Sequence, residues 1–212
     1  MAYSYPLTVP NHNFASMSMR MVRKIGSSIS PFTYKQQVFE HPGVRWEAEV
    51  TLPPLTYNEA RDWEAFFAEL RGTVGTFKMY NPLNSEPRGT ANDATLLNTG
   101  TTIPEAGNHF IVLTQNNLGS STLKKGDYMS IKYNNDADRP HLHMVVEDAT
   151  ITNGSDTTVY IQPPLRAGGT AGSFVDVTNP DGIWRLATPN IDWSINEASL
   201  YGFTFACVEA DL

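Results

Sequence analysis

The segment from Thr56 to Pro82 narrows the folds open to this chain, because several independent sequence rules agree on it. Thr56 followed three residues later by Glu59 is a capping box, in which the hydroxyl takes the N3 amide and the glutamate reaches back to the cap amide. Trp63, Phe66, Phe67 and Leu70 then fall at i, i+3, i+4 and i+7, while Glu59, Arg61, Asp62, Glu64 and Glu69 occupy the other faces. Gly72 can take the left-handed conformation that closes a helix. The run Arg71-Gly72-Thr73-Val74-Gly75-Thr76-Phe77 reads as a tight turn feeding an apolar strand that Asn81-Pro82 ends. Burying one large stripe side chain is worth about 1.5–3 kcal/mol, so this helix needs a flat apolar partner.

The flanking text supplies strands. Up to Asn13, with Pro6 and Pro10 and no period, the chain reads as an extended arm or edge segment, able to reach onto a neighbouring subunit. Met17, Met19 and Met21 alternate with Ser18, Arg20 and Val22, which predicts a half-buried strand over Met17–Ile25. Those methionines read as core, with an adaptable contact surface as the alternative. Gly26-Ser27-Ser28 and Ser30-Pro31 are expected to break the strand. Phe32 to Phe39 is a second strand, His41-Pro42-Gly43 a turn, and Val44, Trp46, Ala48 and Val50 the buried face of a third. Near the end, Tyr201, Phe203, Phe205 and Cys207 alternate with small residues, a strand expected to pair with the N-terminal domain.

Between these lies a different text. Leu83 to Asn98 is polar and turn-rich, and reads as a linker or surface loop. Short strands follow around Phe110–Leu113, Tyr128–Tyr133, Leu142–Val146 and Thr157–Ile161, with Lys125-Gly126-Asp127 and Asn153-Gly154 as turns. Such spacing predicts a small Greek-key barrel or sandwich, and closing it would remove exposed edges. Pro163-Pro164 and the glycine run Ala167–Gly172 break the pattern, and Ile183 to Leu186 returns to strand. The domain expectation is a discontinuous domain of residues 1–82 and 180–212 carrying an insertion of residues 83–179.

The search for chemistry is mostly negative. His141 and His143, two apart on a predicted strand, share a face, with Asp136, Asp138 and Glu147 near in sequence, and are the weak metal candidates; the alternative is a solvated strand. His12, His41 and His109 are isolated. There is no GxSxG, P-loop, HExxH or CxxC signature, and the single Cys207 sits in an apolar strand that disfavours a thiolate. Arg71–Gly75 has the look of a phosphate loop but follows a helix where such loops precede one. No catalytic residue, cofactor or enzymatic activity is expected. A formal charge of −7 disfavours a general attraction to nucleic acid phosphates. No stretch is apolar enough for a membrane helix, and the opening residues lack signal-peptide regions, so a soluble, cytoplasmically made protein is expected.

The order of parts, with Leu70–Phe77, Asn81-Pro82, Leu123-Lys124-Lys125-Gly126-Asp127, Ile161–Arg166 and Trp184-Arg185-Leu186, resembles the distal tail proteins of long non-contractile-tailed bacteriophages, the siphophages. The resemblance implies a mainly β fold with one amphipathic helix: a β-sandwich or barrel ring domain bearing an inserted small barrel like an oligonucleotide/oligosaccharide-binding (OB) fold. It also implies a hexameric ring in the virion tail, assembled in the host cytoplasm. The implied partners are the tail tube protein, the baseplate hub or tail tip protein, the tape-measure protein and tail fibres, with DNA only passing through the lumen. Subunit-interface candidates are Met17, Met19, Met21, Arg71, Gly72, Gly75 and Phe77. A carbohydrate-binding or cell-wall-degrading tail module is the alternative function.

Overall fold

A computed structural model describes residues 4–92, 98–99, 102–114, 119–133, 139–170, 174–196 and 199–210. The chain is mainly β with one α-helix, as its patterning predicts. In chain order the elements are β1 (Leu7–Thr8), β2 (Ser16–Ile29), β3 (Gln36–Thr51), α1 (Tyr57–Leu70) and β4 (Phe77–Met79). Next come β5 (Asn98–Thr99), β6 (Thr102–Ile103), β7 (Phe110–Thr114), β8 (Ser120–Leu123) and β9 (Tyr128–Lys132). They are followed by β10 (Pro140–Val145), β11 (Ala149–Thr152), β12 (Thr157–Gln162), β13 (Gly169–Thr170) and β14 (Phe174–Asp176). The chain finishes with β15 (Gly182–Leu186), β16 (Trp193–Ile195) and β17 (Tyr201–Glu209).

Strands from both ends of the chain share one sheet in the order β1-β4-β15-β17-β3-β2, with β16 also on β17. The terminal strand sets its centre, pairing Phe205 with Val50 and Cys207 with Ala48. Because side chains alternate across a strand, Trp46, Ala48 and Val50 share a face with Phe203, Phe205 and Cys207. Helix α1 lies across that face. Glu59 accepts hydrogen bonds from both the Thr56 amide (2.9 Å) and the Thr56 hydroxyl (2.7 Å), which holds its carboxyl below the usual range. Trp63 and Phe67 tilt against Phe205 and Phe203, and Phe66 meets Phe77 edge-on with centroids 5.5 Å apart. Such aromatic pairs add about 0.5–1.5 kcal/mol each beyond their burial. The left-handed residue that closes the helix is first Arg71 (φ 54°), then Gly72 (φ 69°), so the turn begins one residue earlier than the glycine pattern predicts.

Strands β5, β7, β9, β10, β12 and β14 close a separate barrel around Ile111, Leu113, Met129, Ile131, Val145, Val159 and Ile161. Its chain leaves the sheet after β4 and returns at β15, strands that are hydrogen-bonded neighbours. The two crossings meet where the Asn179 amide donates to the Ser85 carbonyl at 2.6 Å. The barrel's outer residues Leu142 and Met144 join the core under the sheet, and the Trp46 indole donates to the Leu142 carbonyl at 3.0 Å. Beside it, Arg166 of the barrel segment meets Glu209 of β17 at 2.6 Å, and the same carboxylate oxygen accepts the Trp46 amide.

Two local expectations fail. Gly26-Ser27-Ser28 does not break β2, which runs on to Ile29, and the turn comes only at Ser30–Lys35, placing Phe32 and Tyr34 in it, outside the second strand predicted for Phe32–Phe39. His41-Pro42-Gly43 is not a turn: it lies within β3 as a bulge opposite the single Lys24. Of the two readings of the N-terminal segment, the edge segment holds: β1 pairs in parallel with β4 at the margin of the sheet, Val9 is buried, and the Tyr5 hydroxyl donates to the Glu69 carbonyl.

With side chains only 13% and 5% exposed, the Arg166–Glu209 pair is a buried ion pair between barrel and sheet. Glu209→Ala, which strands the guanidinium, is expected to cost about 3–5 kcal/mol, and Glu209→Gln less. Thermal or urea unfolding of the two variants checks this.

Candidate subunit interface

Strand β17 reaches along β3 over Glu47–Thr51, so beyond this stretch, among the described residues, β3 has β2 as its only strand partner. Past the bulge at His41–Gly43, residues 25–39 form a bare two-stranded ribbon, its β2 side alone about 16 Å long before the turn. Opposed residues share a face, so Ile25, Val38 and Ile29 form one apolar stripe, while Phe39 lies on the other face, edge-on to His41. All of these are exposed, and at the tip Phe32 is 92% and Tyr34 82% accessible. An isolated hairpin of this kind is marginal in water, and a contiguous apolar surface on it marks a contact site. The residues 25–39 are thus the surface that sequence patterning passed over. Its signal was present as six large apolar residues among Ile25–Ile29 and Phe32–Phe39, but the glycine and proline in between read as punctuation.

The arm is held at its root. Arg23 binds Glu40 at 2.6 Å and donates to Gln162 Oε1 at 2.8 Å, and Gln162 Nε2 donates to His109 Nδ1. This chain of bonds ties the ribbon to β12 of the barrel, so the tip projects from a fixed base. Across the open face of the sheet, Arg20 and Arg45 both bind Glu47, whose carboxyl they hold below its ordinary range, Arg45 most. They line a depression of about 280 Å³ with Ser18, Glu49 and Ala206.

The predicted interface residues fall elsewhere. Met17, Met19 and Met21 are half-buried against the helix-side core, where methionine fills irregular space. Phe77 is fully buried between Phe66 and Phe205 and has no surface to offer a neighbour, contrary to the expectation. Gly72 and Gly75 serve close approach within the subunit. A Cβ on Gly72 would stand 2.8 Å from the Pro189 carbonyl oxygen, and one on Gly75 2.6 Å from the Tyr5 ring. Arg71 closes the helix at the same turn.

His141 and His143 share a face, but it is the barrel interior, the face of Val145. Both are buried, which overturns the solvated-strand alternative. His143 Nδ1 donates to the Pro163 carbonyl at 2.8 Å, and burial pushes its pKa down to about 3, so the ring is neutral. His141 lies edge-on to Tyr133. Asp136 and Asp138 lie outside the described residues, and Glu147 follows β10 on an exposed bend. Among the described residues no group of three or more His, Cys, Asp or Glu is placed to hold a metal ion. His12 stacks on Tyr80 at 3.8 Å, its pKa pushed down to about 4 by burial, and burial raises that of the Cys207 thiol.

No protein-family model matches this chain, and no curated protein matches it.

The two depressed histidines act on stability in one direction. Above pH 6.5 both states carry neutral rings; below it the unfolded chain takes up protons that the folded chain refuses, so stability falls towards pH 3. Each ring contributes a slope of up to about 1.4 kcal/mol per pH unit. His143→Asn, which retains an amide donor for Pro163, is expected to remove roughly half of this slope between pH 6 and 4.5 in thermal melts.

Proposed function

We propose that this chain is a structural subunit of a long non-contractile bacteriophage tail: a distal tail protein whose copies close into a hexameric ring joining the tail tube to the tip. The observation that carries the reading is the projecting arm, whose exposed Phe32, Tyr34, Phe39 and isoleucines call for a partner surface. A sheet domain with one helix across it and a barrel inserted between neighbouring strands agrees with the segment order from which the resemblance was drawn. In this reading the sheet domain builds the ring, the barrel projects outward to hold fibres or meet the host surface, and the tube, hub and tape-measure proteins are its neighbours. Heterologous contacts that close by rotation make such a ring from one kind of chain. The polar sheet face, with its arginines already bound to Glu47, suits a surface past which DNA slides without being held.

The alternative, a glycan-binding or wall-degrading module acting through His141 and His143, meets the difficulty that both rings are buried inside the barrel.

The test is the mass and shape of the purified protein. Mass photometry is expected to give six copies of the 23.5 kDa chain, and negative-stain images a ring with a central opening. A particle that stays monomeric at all concentrations, with no ring in the images, overturns the proposal.

A further inference from the structure

The arm tip has a counterpart on the same chain. Among the described residues, strand β16 is bonded to β17 along one side only, and its Trp193 and Ile195 are 51% and 57% exposed. Next to it, a depression of about 190 Å³ between the helix and the β15–β16 connection is lined by Phe67, Leu186, Pro189, Ile191 and Trp193, with Glu64 on its wall. This is a second exposed apolar patch, concave where the arm tip is convex. The charges are matched as well: the arm tip carries Lys35, and the depression carries Glu64, which Arg61 faces at 3.9 Å, and the neighbouring exposed Asp192.

Position decides which copy fills it. In the sheet, β16 lies on the side of β17 opposite β3, and the arm continues from β3 and β2. Tip and depression therefore lie on opposite sides of the central strand of one subunit. Two different patches that fit each other make a heterologous contact, repeated from copy to copy, which closes or propagates according to the rotation it imposes.

We infer that the arm tip of one copy seats in the depression beside β16 of the next, with Phe32 and Tyr34 against Trp193 and Ile191 and with Lys35 facing Asp192 and Glu64. This rests on the assembly reading above and names the surfaces that join the ring. The second copy is the occupant that the charges and the sheet order favour. A bare two-stranded ribbon gains in this way the packing partner it lacks in the free subunit.

The experiment is cross-linking with paired thiols, for which buried Cys207 leaves a clean background. Phe32→Cys with Trp193→Cys in one chain is expected to give, on oxidation, a ladder of covalent multimers ending at the ring. Mixing the two single variants should give one disulfide-linked dimer species. As a second measure, Lys35→Glu is expected to weaken association about tenfold, and Asp192→Lys to restore it when the two variants are mixed. Both positions are exposed, so folding is not at risk. Rings that form without the Phe32–Trp193 cross-link, or with only arm-to-arm cross-links between Phe32→Cys chains, overturn this inference while leaving the assembly reading intact. Monomers at all concentrations overturn both, and flotation of such monomers with lipid vesicles through the arm would assign the tip to a membrane surface instead.

Discussion

The aromatic stripe of the single helix is the contact on which the rest of the architecture depends. Trp63, Phe66, Phe67 and Leu70 cover strands drawn from both ends of the chain, β3 and β4 from the first part and β17 from the last. Neither group of strands has a complete apolar face to bury alone. The helix and the terminal strand therefore hold each other in place, and the barrel is obliged to leave and re-enter the sheet through two adjacent crossings.

From that core the fold passes rigidity outward in two directions. Trp46 extends the buried face to the barrel, where its indole and amide are bonded to Leu142 and Glu209 and the Arg166 pair completes the contact. Farther along the same strand, the Arg23–Glu40 and Gln162–His109 bonds fix the root of the arm. The bulge at His41–Gly43 lies between these anchored and free portions, and it lets a proline sit in a strand at a point where only one partner needs bonding. What projects past the bulge is short, apolar and unpartnered, the opposite of how edge and ribbon segments are usually guarded against association. It is the surface that the proposed assembly would cover.

Much of this was legible in the residues. The capping box, the helical stripe, the alternation over Val44–Val50 and Tyr201–Cys207 and the short strands of the middle region each follow a period that burial enforces locally. The misreadings came where local chemistry was overruled by pairing. Gly26 and Ser27–Ser28 carry strand geometry because Phe39, Val38 and Gln37 stand opposite them. His41-Pro42-Gly43 has turn composition, yet the hairpin's real turn was set by where the two long strands stay in register. His141 and His143 read as two ligands on a solvated face, but the face was the inside of a closed barrel.

The sequence by itself determined the helix and the cores of the main strands, that the chain would be mainly β, and that a single helix would need a sheet, because these follow from near-neighbour periodicity and capping. Tertiary structure alone decided which residues are free to meet a partner. Phe77 and the methionines were taken inward by the helix, and the apolar residues of the arm were left outside, because exposure depends on what the rest of the chain can bring within reach, and among the described residues no strand extends far enough along β3 to cover the ribbon.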